Sequence, residues 1–203
     1  MPQRLRTARH ADGHRARRPW RSRRPLTRLA TAGLAAHVFF ELGAGVGMPT
    51  ASVIGPVPAA AAWSLGTATL WRTARTRPAS SDGVFHSCNG MGLAAVLAHF
   101  AAWPSQRTRA GLPWLRDCEG LGPPLMPYYN PILYLSAAAT VAALAGENRS
   151  APRQLPLLAL ALAPVLVAVQ RAEHRRLKAQ ARERPSWWTR RLRSLRRGPA
   201  RPA

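Results

Sequence analysis

The chain has 203 residues and a formal net charge of +22, from 30 Lys and Arg against 8 Asp and Glu. Its two cysteines, Cys88 and Cys118, exclude a metal site of zinc-finger type and are expected to be free, mostly buried thiols rather than one disulfide. Such charge would suit nucleic acid, but no nucleic-acid-binding module accompanies the arginines and no such partner is expected. Twenty-two of the thirty basic residues lie in the two ends of the chain, and the apolar residues gather in long runs between them.

Residues 1–28 form a basic N-terminal tail with little apolar content, expected to be disordered. The first apolar run, Leu29–Met48, LATAGLAAHVFFELGAGVGM, is long enough for a helix rising about 1.5 Å per residue to cross about 30 Å of hydrocarbon. Its single formal charge is Glu41. A carboxylate inside a membrane costs roughly 2.5 to 3.5 kcal/mol on insertion scales, which makes Glu41 a functional-site candidate by default. A turn-rich connector, Pro49–Pro56, leads to a shorter second segment, Val57–Trp71, followed by Arg72, Arg75 and Arg77. The third segment, Gly83–Trp103, is polar at its start and ends on a Trp suited to an interface. The longest connector, Pro104–Met126, holds Asp117 and Glu119, and its Gly120-Leu121-Gly122-Pro123-Pro124 core cannot be a regular helix. The fourth segment, Pro127–Gly146, opens with Tyr128, Tyr129 and Asn130. The fifth, Leu155–Gln170, is the most hydrophobic, and Pro164 is expected to kink it. Residues 172–203 read as a basic helix and tail, with Trp187 and Trp188 either as an interfacial anchor or as incidental.

These segments predict an all-α fold: a polytopic helical membrane bundle of about five hydrophobic segments, with its membrane domain over residues 29–171 between two basic tails. Twenty-nine arginines against one lysine suggest a GC-rich bacterial genome, and the expected location is the bacterial inner membrane as a multi-pass protein. Basic tails beside membrane segments favour the anionic lipid surface. Five crossings put the tails on opposite sides and divide the basic residues fifteen to each, so the positive-inside rule sets no orientation. A second or third segment that dips in and returns, or a sixth embedded piece around residues 112–126, would bring both tails to one side.

His37 and Glu41, four residues apart, share one helix face. In a low-dielectric interior such a pair can handle a proton or lock two helices together. Asp117 and Glu119 are either solvated loop acids beside Arg116 or the second acid or base of a site opposite Glu41. Asn89, within Cys88-Asn89-Gly90, reads as a kinked helix end that lines a cavity or packs structurally. His37, His86 and His99 with Glu41 fall short of the clustered histidines of membrane di-iron hydroxylases, so no metal and no cofactor is expected. The absence of P-loop, GxSxG, HExxH and CxxC patterns leaves hydrolysis, nucleotide use and thiol relays unsupported.

Phe39-Phe40-Glu41 in a first span, later acids at the mouth of another, and a small bundle rich in Ala and aromatics resemble the small bacterial membrane-integral terpene cyclases, which act on prenylated indoles or related isoprenoids. The resemblance implies a protonation-initiated, class II mechanism without metal, in which Glu41 protonates an olefin or epoxide of a lipophilic substrate. Asp117 or Glu119 would assist it or remove the final proton, and His37, Phe40, Asn89, Tyr129 and Asn130 would contact the substrate. The competing class is a non-enzymatic multi-pass membrane protein with His37 and Glu41 as an interhelical pair or proton relay.

Overall fold

The computed structural model describes residues 24–194, and most of the basic N-terminal tail lies outside them. Helix α1 spans Pro25–Ala44, four residues earlier than the apolar run begins. Pro25 suits the first helical turn because the amide it lacks has no intrahelical partner there. Glu147 supplies the rest of the cap: its carboxylate accepts from the Leu26 amide at 2.7 Å, the Thr27 amide at 2.9 Å and the Thr27 hydroxyl at 2.8 Å. At the other end Gly45 takes a left-handed conformation, φ 81°, and closes the helix by donating to the Glu41 and Leu42 carbonyls. The helix therefore stops well short of Met48, and Glu41 lies in its last turn rather than near the middle of a span.

The short helix α2, Ala51–Ile54, leads into α3, Pro56–Thr76, and a 3₁₀ turn at Ala79–Ser81 leads into α4, Asp82–Ala102. The long connector then forms a small antiparallel hairpin that the sequence reading did not foresee, β1 at Ser105–Arg107 and β2 at Pro113–Leu115, with Gln106 opposite Trp114. Helix α5 spans Met126–Gly146. The fifth segment is not one kinked helix. It is α6, Gln154–Leu160, and α7, Ala163–Glu183, because Pro164 starts a new helix where its missing amide is harmless. A 3₁₀ turn at Trp187–Thr189 and the short α8, Arg190–Ser194, complete the described chain. Among the described residues two stretches are long and apolar enough to cross a membrane, Ala79–Ala102 and Gln154–Glu183.

Helix α1 is the centre of the bundle, packed on α5 and α3, while α4 packs on α5, α6 and α7. Small residues permit the closest approaches. A Cβ on Gly33 would come within 2.4 Å of Ser136 Oγ on α5, and one on Gly90 within 2.7 Å of Pro156 Cα on α6. One end of the bundle gathers Arg24, Arg77, Asp82 and Asn148, and the other gathers Gly45, Ser52, the hairpin and the second half of α7.

The interior holds two apolar clusters together with an unusual number of polar side chains, and the exterior carries many aliphatic ones. Thr27, Asn130 and Tyr129 are fully buried, and so nearly are Arg24, Glu41 and His37, whereas Val57 (74% exposed), Leu65 (71%), Leu135 (69%) and Leu158 (66%) face outward. Buried polar groups beneath an exposed aliphatic exterior are the informative departure from ordinary burial.

Many of the buried polar groups are paired, whereas His37, His86 and His174 each keep a buried Nδ1 without a hydrogen-bond partner. Arg24, at the start of the described chain, donates to Asp82 at 2.5 Å, to Asn148 Oδ1 at 2.8 Å and to the Arg77 and Pro78 carbonyls at 2.9 Å each, and lies 4.4 Å from the centre of the Phe85 ring. Asn89 sits inside a continuous α4, not at a broken end, and donates to Thr27 Oγ1 at 3.0 Å. Both cysteines are free as expected; Cys118 is buried, but Cys88 is on the exterior, because its position on α4 faces away from the bundle.

Candidate functional site

Three helices bring four polar residues together one turn inside the hairpin end. His37 and Glu41 come from the last two turns of α1, His99 from the last turn of α4 and Tyr129 from the first turn of α5. The Tyr129 hydroxyl donates to Glu41 Oε1, and His99 Nε2 lies 3.6 Å from the same oxygen. The rings of His37 and His99 meet edge to face, with centroids 5.4 Å apart at 77°. Phe40 covers one side, its ring 5.7 Å from that of Tyr129.

The tautomer of His99 follows from its surroundings. Its Nδ1 is 2.7 Å from the Ala95 carbonyl, which can only accept, so Nδ1 carries a proton. Gln170 of α7 lies 3.1 Å from the same nitrogen. With its amide oxygen turned to the ring, Gln170 takes the second branch of that N–H, and an oxygen otherwise buried without a partner is satisfied. His99 Nε2 is then left to face Glu41, either as a lone pair or as a second N–H. His37 Nδ1 is buried without a hydrogen-bond partner.

His37, Glu41 and His99 each offer one ligand atom within 4.8 Å of the others, so these three could hold a divalent metal. Contact with one ion through bonds of about 2.1 Å would require the separations to close to roughly 3.4 Å for a tetrahedral site, with Tyr129 shifting off Oε1. No such shift is needed for proton exchange, since Tyr129, Glu41 and His99 already share one oxygen.

The loop acids separate. Asp117 lines an outer cavity of about 570 Å³ with Trp114, Arg116 and Pro123, away from Glu41. Glu119 lines a different cavity, of about 220 Å³, whose walls are Met48, Val53, Val169 and Leu177, with Thr50, Gln170, Glu173 and Arg176 at its polar side. Gln170 thus touches both this cavity and His99. Glu119 has a left-handed backbone, φ 54°, in the turn closed by the Cys118–Leu121 bridge. Burial pushes its carboxyl up to about 8, and the negative charge of Glu41 adds to this while His99 opposes it. Burial also raises the neighbouring Cys118 thiol well above its ordinary range, with Glu119 contributing, which makes it a poor nucleophile. Glu173 is engaged elsewhere, accepting from the Ser52 amide at 2.8 Å and from its hydroxyl.

Of the residues singled out in the sequence, His37, Phe40, Glu41 and Tyr129 meet in one place, with Glu119 close enough to feel the charge of Glu41. Asn130 and Asn89 stand apart. The Asn130 amide is taken up by backbone, accepting from the Leu115 amide at 2.9 Å and donating to the Leu115 and Met126 carbonyls at 3.1 and 3.0 Å. It ties the hairpin to α5. His99 and Gln170 join the cluster through tertiary packing; four residues before the end of the third apolar segment, His99 was visible only as one intramembrane histidine among several.

No protein-family model, curated protein or solved structure matches the chain.

Proposed function

We propose that the protein is a multi-pass membrane protein that carries out acid–base chemistry on a lipophilic substrate, with Glu119 as the acid in contact with the substrate and Glu41 behind it. The membrane reading rests on the exterior, where exposed Leu and Val on several helices surround a core that holds Arg24, Glu41 and His37 beside its apolar clusters. Helices α1, α3, α4, α5 and the α6–α7 pair are its five crossings, with the ends of the chain on opposite sides.

The observation that carries the chemistry is the placement of Glu119 on the wall of a cavity that joins Met48, Val53, Val169 and Leu177 to Thr50, Gln170, Glu173 and Arg176, within electrostatic reach of the buried Glu41. A carboxylic acid raised to about 8 is neutral at pH 7 and can donate its proton. Protonation of an alkene in a prenyl chain forms a C–H bond and leaves a tertiary carbocation. Ring closure by a second π bond, followed by loss of a proton to the Glu119 carboxylate, gives an isomer of unchanged mass and regenerates the acid. Met48 and Leu177 form the buried apolar wall on which the cation would sit, and the exposed Val53 and Val169 continue it outward. The cavity is smaller than the 300–1,000 Å³ typical of ligand sites, so it takes one terminus of a prenyl chain while the remainder lies toward the bilayer.

A second reading is favoured by the closed surroundings of Glu41, which touches Tyr129 and His99 and lines none of the cavities described above: the cluster is then a lock between α1, α4 and α5. An assay on membranes carrying the wild type, Glu119→Gln and Glu41→Gln, fed geranylated and farnesylated indoles, separates the two. The acid–base reading expects an isomer that disappears in Glu119→Gln while the protein remains folded. No product from any isoprenoid, with unfolding at lower temperature in Glu41→Gln, leaves the lock.

A further inference from the structure

We propose that the cavity between the α5–α6 turn and α4, at the Arg24 end of the bundle, binds a phosphate-ester anion, carried either on a lipid headgroup or on a small soluble ester. The cavity measures about 580 Å³ and is lined by Arg149, Arg153, His86, Asn148 and Glu147. Arg149 and Arg153 are exposed, and among the described residues neither side chain has a hydrogen bond or ion pair. Their natural counter-charge would be Glu147. Both of its oxygens are already engaged by the N-terminus of α1, whose dipole and free amides offset its charge. Asn148 is likewise occupied, accepting from Arg24.

His86 supplies the independent observation. It is 6% exposed, lines the same cavity, and has Nδ1 buried without a hydrogen-bond partner. A turn of the ring about its Cβ–Cγ bond brings a nitrogen to an acceptor in the cavity, which would recover the about 1–3 kcal/mol that an unpaired buried polar atom costs. Two guanidinium forks and one imidazole donor match the several oxygens and negative charge of a phosphate ester. The rest of the wall is apolar, with Leu144, Ala151 and Pro156, and beyond it Leu157 and Leu158 are exposed along α6. A headgroup in the cavity would leave its acyl chains on that leucine surface, at the level where the helices end. This inference does not depend on acid–base chemistry at Glu119.

The test uses the full chain purified in detergent, probed separately with phosphatidic acid, phosphatidylcholine, glycerol 3-phosphate and inorganic phosphate, and read by native mass spectrometry and thermal unfolding. The expected result is retention of phosphatidic acid over phosphatidylcholine by about tenfold, lost to a similar degree in Arg149→Gln/Arg153→Gln, as for charge-assisted hydrogen bonds. Arg107→Gln/Arg109→Gln, at the opposite end, should leave retention unchanged. Soluble phosphate that binds as tightly as the lipid, with the same loss in the first variant, assigns the site to a free ester. Retention that ignores headgroup charge together with no binding of the soluble phosphates, or that falls equally in both double variants, overturns the proposal.

Discussion

Removing the carboxylate of Asp82 should destabilise the fold more than any change at the Glu41 cluster. Arg24 is 2% exposed, and among the described residues Asp82 is its one acidic partner, at 2.5 and 3.2 Å. The neutral partners, Asn148 and the Arg77 and Pro78 carbonyls, satisfy its N–H groups but do not balance its charge. Breaking a buried pair from one side costs about 3–5 kcal/mol, because an uncompensated charge remains inside. For a chain of this size, each 1 kcal/mol moves Tm by about 2–4 °C. Asp82→Asn should therefore lower Tm by roughly 6–20 °C. The free cysteines supply the readout: with Cys88 replaced by Ala, the buried Cys118 thiol reacts with a thiol-specific dye only as the bundle opens. Arg24→Met combined with Asp82→Leu should recover at least half of the loss, since apolar replacement removes the stranded charge. A shift below about 2 °C for Asp82→Asn, or strictly additive losses in the double variant, would refute the reasoning.

Tyr129→Phe should cost about 1–3 kcal/mol by withdrawing the donor on Glu41, measured as the same thermal shift. Glu119 makes stability depend on pH. Its carboxyl keeps a proton up to about 8 in the folded chain and releases it near 4.5 when unfolded, so its contribution is fully present below pH 4.5 and is lost as pH rises through 8. Glu119→Gln should flatten that part of the profile, and an unchanged slope between pH 5 and 8 would exclude a raised carboxyl there. Gly90→Ala should destabilise by about 1–3 kcal/mol, because the new methyl meets Pro156 backbone rather than a movable side chain, and Gly66→Ala, with open space around it, serves as the control. Glu147→Ala should cost about 1–2 kcal/mol through loss of the cap on α1.

The hydropathy pattern predicted the helices because burial in lipid or protein makes the same demand on long apolar runs, and four of the five segments match helices to within a few residues at most ends. The exceptions have local causes. The first helix begins early because a remote carboxylate caps it, and the fifth divides because Pro164 can start a helix more easily than continue one. The site was partly legible. His37 and Glu41 share a face by spacing alone, but His99 and Gln170 join them only through the packing of α4 and α7, which no local pattern encodes. Arg24 was indistinguishable within a run of arginines, since nothing in its neighbours marks the one that is taken into the interior. Asp117 and Glu119, two residues apart, were read together, yet the left-handed turn at Glu119 sends them to different cavities.

The caps of α1 also bear on the order in which the protein can be made. The amides at its start are satisfied by Glu147, and the carbonyls of Gly43 and Ala44 at its end by the side chains of Arg190 and Arg191. Helix α1 therefore has neither end complete until more than a hundred further residues have been made, and its far end waits for nearly the last of the described chain. Until then its Glu41 also lacks Tyr129. A nascent chain in this condition carries an uncapped α1 through most of the synthesis of the described residues, and a truncated message would yield a product whose α1 lacks the partners of both its ends.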